Sequence, residues 1–314
     1  MVAPMRRLLP LIVVLLTAAC GTPYVPARMP QEVAQPDGSR HVQGQFLGVG
    51  KTPLFWQGWE PTKAQKRGVL VVVHGLKDHS SRYADFAHEL NQAGYSVYAF
   101  DLRGHGNSAG NRVGLLNFED YVLDLDMFLY RVLLAEDVPV FVFGHSMGGA
   151  IVTLHSIEYQ PAVRGMILSG AALLPGVSSG TVKFTKATAE LFPDYDGFNL
   201  NLYKFSRDPA VVAAALKDPL VYQDGATVHM ATELLNGIEK IDGSMNKVRV
   251  PLLILHGKAD EVTPPAGSKL LYDRTSSTDK RLTLYGLMFH DLLHEPEHEQ
   301  VTSDIIAWMN ARTQ

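Results

Sequence analysis

Residues 138–154, VPVFVFGHSMGGAIVTL, run from a β-branched and aromatic segment into Gly144-His145-Ser146-Met147-Gly148 and on into a helix-compatible segment. Strand, sharp turn, helix is the context in which the pattern G-x-S-x-G carries chemical meaning. The turn needs small neighbours, because the backbone of the serine is strained and its flanks approach one another closely; Gly144, Gly148 and Gly149 permit this. A hydroxyl placed there stands exposed at the head of a helix, whose dipole favours developing negative charge. Ser146 is the candidate nucleophile.

The same alternation continues on either side. Residues 69–73 (VLVVV) form a continuous β-branched run, the mark of a strand buried on both faces of a parallel sheet. Residues 95–100, 165–169, 250–255 and 281–285 read as further strands, and 118–134 and 151–159 have helical periodicity. Alternating β and α segments predict an α/β fold with a mostly parallel, doubly wound sheet and helices on both sides. Between residues 171 and 247 the alternation gives way to short apolar helices and loops containing Phe184, Leu191, Phe192, Phe198, Leu202, Tyr203 and Phe205. Such an insertion packs over the carboxyl edge of the sheet or against its side. Ligands of α/β proteins bind at the carboxyl edge, so the insertion is a candidate lid.

A serine hydroxyl is a poor nucleophile until a histidine takes its proton, and that imidazole must be held in one tautomer by a carboxylate. In this chain order the acid follows a late strand and the base follows the last one. Asp260 lies five residues past Leu255, where the loop at the carboxyl end of a strand begins; the adjacent Glu261 is expected to point elsewhere. His290 lies in the loop after residues 281–285. The remaining need is a pair of backbone donors for an oxyanion. Met147, directly after the serine, supplies one, and the turn His74-Gly75-Leu76 supplies the other through the Leu76 N–H.

Rival patterns fail on context. Gly176-Val177-Ser178-Ser179-Gly180 also fits G-x-S-x-G, but Pro175 precedes it and no strand leads in, so Ser178 reads as a loop into the lid. His294-Glu295-Pro296-Glu297-His298 fits the zinc pattern H-E-x-x-H. Pro296 belongs in the first turn of a helix, which starts the helix near Glu295 and leaves His294 outside it, so no metal is expected. Gly104-His105-Gly106-Asn107-Ser108-Ala109 fits a dinucleotide fingerprint, yet the next helix starts near Phe118 behind Asn117, too late to face a pyrophosphate. No cofactor is implied. Of the twelve histidines, His74, His105, His145 and His256 flank glycines at strand ends and are expected to make structural hydrogen bonds near the site. His79, His88, His155, His229 and His298 read as surface or structural residues.

The chain has 314 residues, 46% hydrophobic and 19% charged, a globular composition. Lys and Arg number 28 against 32 Asp and Glu, for a net charge of −4, with no long basic run, so nucleic acid is not an expected partner. The one cysteine, Cys20, excludes an intrachain disulfide. Arg6 and Arg7 precede an apolar run over residues 8–19, too short to span a membrane and suited to an export signal. Residues 16–21 (LTAACG) resemble a bacterial lipoprotein lipobox, with Thr17 where leucine is usual; this implies removal of residues 1–19, a lipid anchor on Cys20 and attachment to a membrane of the bacterial cell envelope. Ordinary cleavage after Ala19, leaving a free thiol, is the alternative. Residues 20–40 then read as anchor and Pro- and Ala-rich linker, and residues 41–314 as the folded domain.

Residues 74–83 (HGLKDHSSRY), 101–110 (DLRGHGNSAG), 144–149, 217–222 (KDPLVY) and 255–260 (LHGKAD) together resemble the α/β-hydrolase family, in its monoacylglycerol lipase and lysophospholipase branch, also described as serine aminopeptidase-like. The resemblance covers roughly residues 55–309. It implies Ser146 as nucleophile with Asp260 and His290, Leu76 and Met147 as oxyanion hole, and a helical cap inserted after the sixth strand, at about 172–245, lining an acyl tunnel. The implied substrate is a single-chain lipid ester. Where the family often has two small residues after His-Gly, this chain has Leu76 and Lys77, a departure on the alcohol side of the site. Amide hydrolysis by the same three residues is the second reading; a non-catalytic lipid-binding lipoprotein is the third.

Overall fold

In the computed structural model, which describes residues 31–34, 39–61, 66–114 and 117–313, the main sheet begins with three antiparallel strands: β1 (Gln31–Ala34), β2 (Arg40–Leu47) and β3 (Pro53–Glu60). The parallel strands follow as β4 (Gly68–Val73), β5 (Tyr95–Phe100), β6 (Val140–His145) and β7 (Gly165–Ser169). A short pair, β8 (Asp196–Phe198) and β9 (Ala226–Thr227), lies inside the insertion, and β10 (Leu252–Gly257) and β11 (Lys280–Tyr285) complete the sheet. Its spatial order is β1-β2-β3-β5-β4-β6-β7-β10-β11, antiparallel up to the β3–β5 pair and parallel beyond it. Helices α1 (Ala84–Gln92), α2 (Glu119–Ala135) and α3 (Met147–Tyr159) follow β4, β5 and β6.

β4 shows why its residues read as one apolar run. Val69, Val71 and Val73 belong to the core on one face, with α2 and α3; Leu70 and Val72 belong to the core on the other, with Phe86 and Trp308. Every residue of the strand is buried, as two-sided coverage of a parallel strand requires. Helix α3 is likewise buried on nearly all sides from Met147 to Ile157, which makes it an interior helix.

Several boundaries differ from the sequence expectation. β6 and β10 begin two residues late, at Val140 and Leu252, because Pro139 and Pro251 have no N–H for the ladder; their carbonyls still accept from Val69 and Met166. The strand β1 falls in the stretch read as linker, where residues 31–34 pair with 40–43, so the sheet starts before residue 41. The last helix, α8 (His298–Asn310), begins at His298 rather than near Glu295. The signal segment 1–19 and Cys20 lie outside the described residues.

The insertion follows β7, the sixth strand of the sheet when the short β1 is set aside. It comprises α4 (Ser179–Leu191), β8, α5 (Pro209–Lys217), β9 and α6 (Val228–Asp242), after which α7 (Pro265–Arg274) returns to the hydrolase core. Helix α6 packs on both α3 and α4, tying the cap to the helix that follows Ser146. Four of the apolar cap residues point outward: Phe184, Leu191, Phe192 and Tyr203 are all exposed, while Leu202 and Phe205 are half-buried. The apolar content of α4 therefore does not line an interior tunnel, because that helix buries only Ala189. Among the described residues no helix is long and apolar enough to cross a membrane.

Candidate active site

Ser146 sits between the last residue of β6 and the first of α3, with φ +54 and ψ −121, a conformation that costs a non-glycine residue energy. Its neighbours hold it there. Its N–H donates to Ser169 O at 3.0 Å, and its carbonyl accepts from Gly149 and Ala172 at 2.9 and 3.0 Å. Gly148 has no alternative: a Cβ there would lie 2.2 Å from Val73 O. Ser178, the serine of the second G-x-S-x-G, instead caps α4 by accepting from the Thr181 N–H.

Asp260 and His290 meet after β10 and β11. His290 Nδ1 donates to Asp260 Oδ2 at 2.8 Å, and both side chains are fully enclosed. Asp260 Oδ1 accepts from the N–H groups of Val262 and Thr263, at 2.7 and 2.9 Å. Thr263 Oγ1 lies 2.8 Å from Asp260 Oδ2, and His256 Nε2 lies 3.0 Å from that same oxygen. Burial alone would raise this carboxyl, but His290 and His256 hold it well below the usual carboxylate range. An acid so firmly ionised fixes the imidazole with its proton on Nδ1, leaving Nε2 with a lone pair. That Nε2 is buried and has no hydrogen-bond partner among the described residues. No hydrogen bond joins it to Ser146 Oγ here; a looser serine–histidine contact is common before substrate binds.

The serine and histidine loops nonetheless adjoin. The His145 ring lies 4.8 Å from that of His290, and Gly170, next to the Ser169 that holds Ser146, faces both His290 and Asp260. Gly75 brings in the third loop, since a Cβ on it would lie 3.1 Å from Ser146 Cβ. Leu76 follows directly, and Met147 opens α3. Among the described residues the backbone N–H of neither is used in a backbone hydrogen bond outside helices and strands. Ser146 is 9% exposed and His290 is completely covered.

Two features escaped the sequence reading. His256 does make a structural bond, from Nδ1 to Ser268 Oγ at 2.7 Å, but it also braces the acid. Behind the loop of Leu76 lies a buried ionic cluster. Arg82 bridges Asp78 Oδ1 at 3.1 Å and Asp291 Oδ2 at 3.0 Å, and His294 Nδ1 lies 2.9 Å from Asp291 Oδ1. Burial would raise Asp78, but Arg82 and His74 bring it down to about 2. Asp78 belongs to the loop of Leu76 and Asp291 follows His290, so Arg82 ties these two loops together. The other ring nitrogen of His294 contacts the Arg82 carbonyl, which commits both nitrogens of that histidine to protein partners. His74, His105 and His145 make the structural bonds expected of them, to Gly75 O and the Leu102 N–H, to Arg103 O, and to Ser169 O. His79 is buried rather than superficial and reaches Asp218 of the cap at 2.9 Å.

A strained serine at a strand–helix elbow and a buried histidine–aspartate pair, carried by adjoining loops of a mostly parallel sheet, define an α/β-hydrolase of the serine type. Residues 64–297 match the family described as Serine aminopeptidase, S33, and the chain belongs to it. It is 36% identical over 279 residues to a monoacylglycerol lipase of Mycolicibacterium smegmatis, covering 86% of this chain and 98% of that one. It is 31% identical over 299 residues to the human monoglyceride lipase, covering 92% and 95%. The crystal structure of the Paleococcus ferrophilus monoacylglycerol lipase superimposes with a TM-score of 0.74 at 31% identity, covering 82% of this chain and 99% of that one. The protein is a serine ester hydrolase of the lipase and esterase type.

Proposed function

We propose that the protein cleaves carboxylic esters of single-chain lipids, monoacylglycerols or lysophospholipids, through a Ser146–His290–Asp260 triad and an acyl-enzyme intermediate. The observation that carries this reading is the enclosed 2.8 Å bond from His290 to Asp260, with the opposite imidazole nitrogen left without a partner among the described residues. In the first half-reaction Ser146 Oγ attacks the ester carbonyl carbon while His290 Nε2 takes its proton. Asp260 stabilises the imidazolium that forms, and the backbone N–H groups of Leu76 and Met147 receive the oxyanion. Collapse of the tetrahedral intermediate breaks the carbon–oxygen bond, and His290 gives the proton to the departing alcohol. Water then repeats the sequence on the acyl-serine and releases the fatty acid.

The relatives' names support a lipid ester as substrate, and the outward apolar side chains of α4 add an apolar surface of the kind that meets lipid. The test is fluorophosphonate labelling combined with hydrolysis of monoacylglycerols, lysophospholipids, triacylglycerols and aminoacyl nitroanilides. Ser146→Ala is expected to lose both label and turnover while folding normally. Ester turnover that survives this substitution would overturn the triad; turnover of nitroanilides alone would favour amide hydrolysis, and lipid binding without product a non-catalytic role.

The N-terminal sequence supports a further part of the reading: residues 1–19 direct export and Cys20 carries the lipid that holds the enzyme at a bacterial envelope membrane. Radiolabelled palmitate is expected to enter the wild-type chain and not Cys20→Ser. Equal incorporation into both would contradict the anchor.

A further inference from the structure

Lys77 occupies a place that would suit glycine better. Its φ is +65, a left-handed backbone that glycine adopts freely and lysine does not. The residue is nevertheless 3% exposed. Its ammonium lies 3.4 Å from Asn199 Oδ1 and 5.8 Å from the centre of the Tyr222 ring, both on the cap. Among the described residues no carboxylate is close enough to form an ion pair with it. Burial lowers the ammonium from its usual range against the weaker pull of Asp224 and Asp196, which act from farther off. A strained backbone that keeps a buried, unpaired cation points to a use for the side chain.

A cavity of about 340 Å³ opens beside it. Its polar lining is Lys77, Asn199, Asn201, Gln223, Tyr203 and Tyr222, and Lys77 is the one charged residue among all those that line it. A smaller cavity of about 20 Å³ shares Lys77 and Leu202 with it and is bounded also by Leu76 and Phe205. Phe205 rests on the His290 ring. Phe205, which touches the imidazole, and Leu76 thus border the same small cavity as Lys77.

We propose that Lys77 is a specificity-determining residue that receives an anionic phosphate headgroup on the alcohol side of the ester, so that lysophospholipids are preferred over neutral monoacylglycerols. This rests on the ester-hydrolase reading above and narrows its substrate class. The donor and the cation belong to consecutive residues, Leu76 and Lys77, so a phosphate joined to the leaving alcohol comes within reach while the carbonyl sits at Ser146. The ammonium then gains the charge-assisted partner that the fold denies it, and the cavity's amides and phenols supply further donors.

The experiment compares kcat/KM for lysophosphatidic acid and for a monoacylglycerol of the same acyl chain, using the full chain as wild type, Lys77→Gly and Lys77→Arg. Glycine suits the left-handed backbone, so Lys77→Gly removes the charge without endangering the fold. The anionic-to-neutral ratio is expected to fall about tenfold or more in Lys77→Gly and to stay within about threefold in Lys77→Arg. A ratio unchanged by Lys77→Gly overturns the role of Lys77 and leaves the hydrolase reading intact. Failure of the wild type to cleave either ester overturns both.

Discussion

Phe205, at the end of a short turn in the cap, sets its ring edge-on against the imidazole of His290, with 5.0 Å between ring centres and planes 82° apart. The Asp291 N–H donates to the Phe205 carbonyl at 2.8 Å, so the cap grips the histidine loop through backbone and side chain together. The cap is thus part of what positions the base as well as a cover. Phe205→Ala is expected to lower kcat about tenfold, and Phe205→Tyr less than about threefold, because only the first leaves the imidazole free to wander from its attack geometry. Steady-state kinetics on a soluble short-chain ester, which needs little of the acyl site, measures this.

The strain at Ser146 has an expected price in stability. With φ +54 and ψ −121 the serine occupies a region suited to glycine. Ser146→Gly should therefore abolish turnover yet raise the unfolding free energy by about 1–2 kcal/mol, seen as a rise in Tm of a few degrees. An unchanged or lower Tm would mean that the elbow is relaxed.

Asp260→Asn keeps the shape of the acid and removes its charge. The amide can no longer act as the ionised acceptor that fixes the proton on His290 Nδ1, so kcat should fall on the order of 10⁴-fold, the scale of a histidine held in the wrong tautomer. His256 and Thr263 remain to hold the side chain, so the fold should survive, and circular dichroism with thermal melting checks that it does.

The Asp78–Arg82–Asp291 cluster predicts both a mutational and an acid sensitivity. Arg82→Met leaves two enclosed carboxylates without their shared cation and should cost about 3–5 kcal/mol in urea unfolding. The pH dependence has a definite sign. Asp78 is depressed in the folded state to about 2, from an ordinary value of 3.8, so its contribution is complete above about pH 4 and disappears as pH falls through about 2. That difference corresponds to about 2 kcal/mol. Asp291 is held well below the usual carboxylate range by His294 and Arg82 against its burial, and its contribution is lost in the same direction. In Arg82→Met the loss of stability between pH 4 and pH 2 should be markedly smaller than in the wild type.

Local chemistry made much of this enzyme readable. β5 and β7 have the very limits that their apolar runs suggest; β6 and β10 start two residues late because a proline delays the ladder, and each runs two residues further than its apolar run. The antiparallel strands β2 and β3 were not evident, because alternate burial and the polar residues Gln43, Gln45 and Gln57 break any apolar run in a half-covered flank. His256 carried no sign of bracing Asp260, since a histidine after a strand looks the same whether it bonds a hydroxyl or a carboxylate.

Ser146, its glycine-rich turn, and the placement of Asp260 and His290 after late strands follow from the sequence alone, because strand runs and turn residues act over a few neighbours and the order of the chain then orders the loops. Only the tertiary structure decided that Arg82 would reach Asp291 across 209 positions, that Lys77 would be enclosed without a carboxylate partner among the described residues, and that the apolar face of α4 would look outward. Those outcomes depend on which loops meet at the carboxyl edge of the sheet and on how little of the cap lies beneath another layer. Burial and charge pairing belong to that meeting, and no short stretch of sequence contains it.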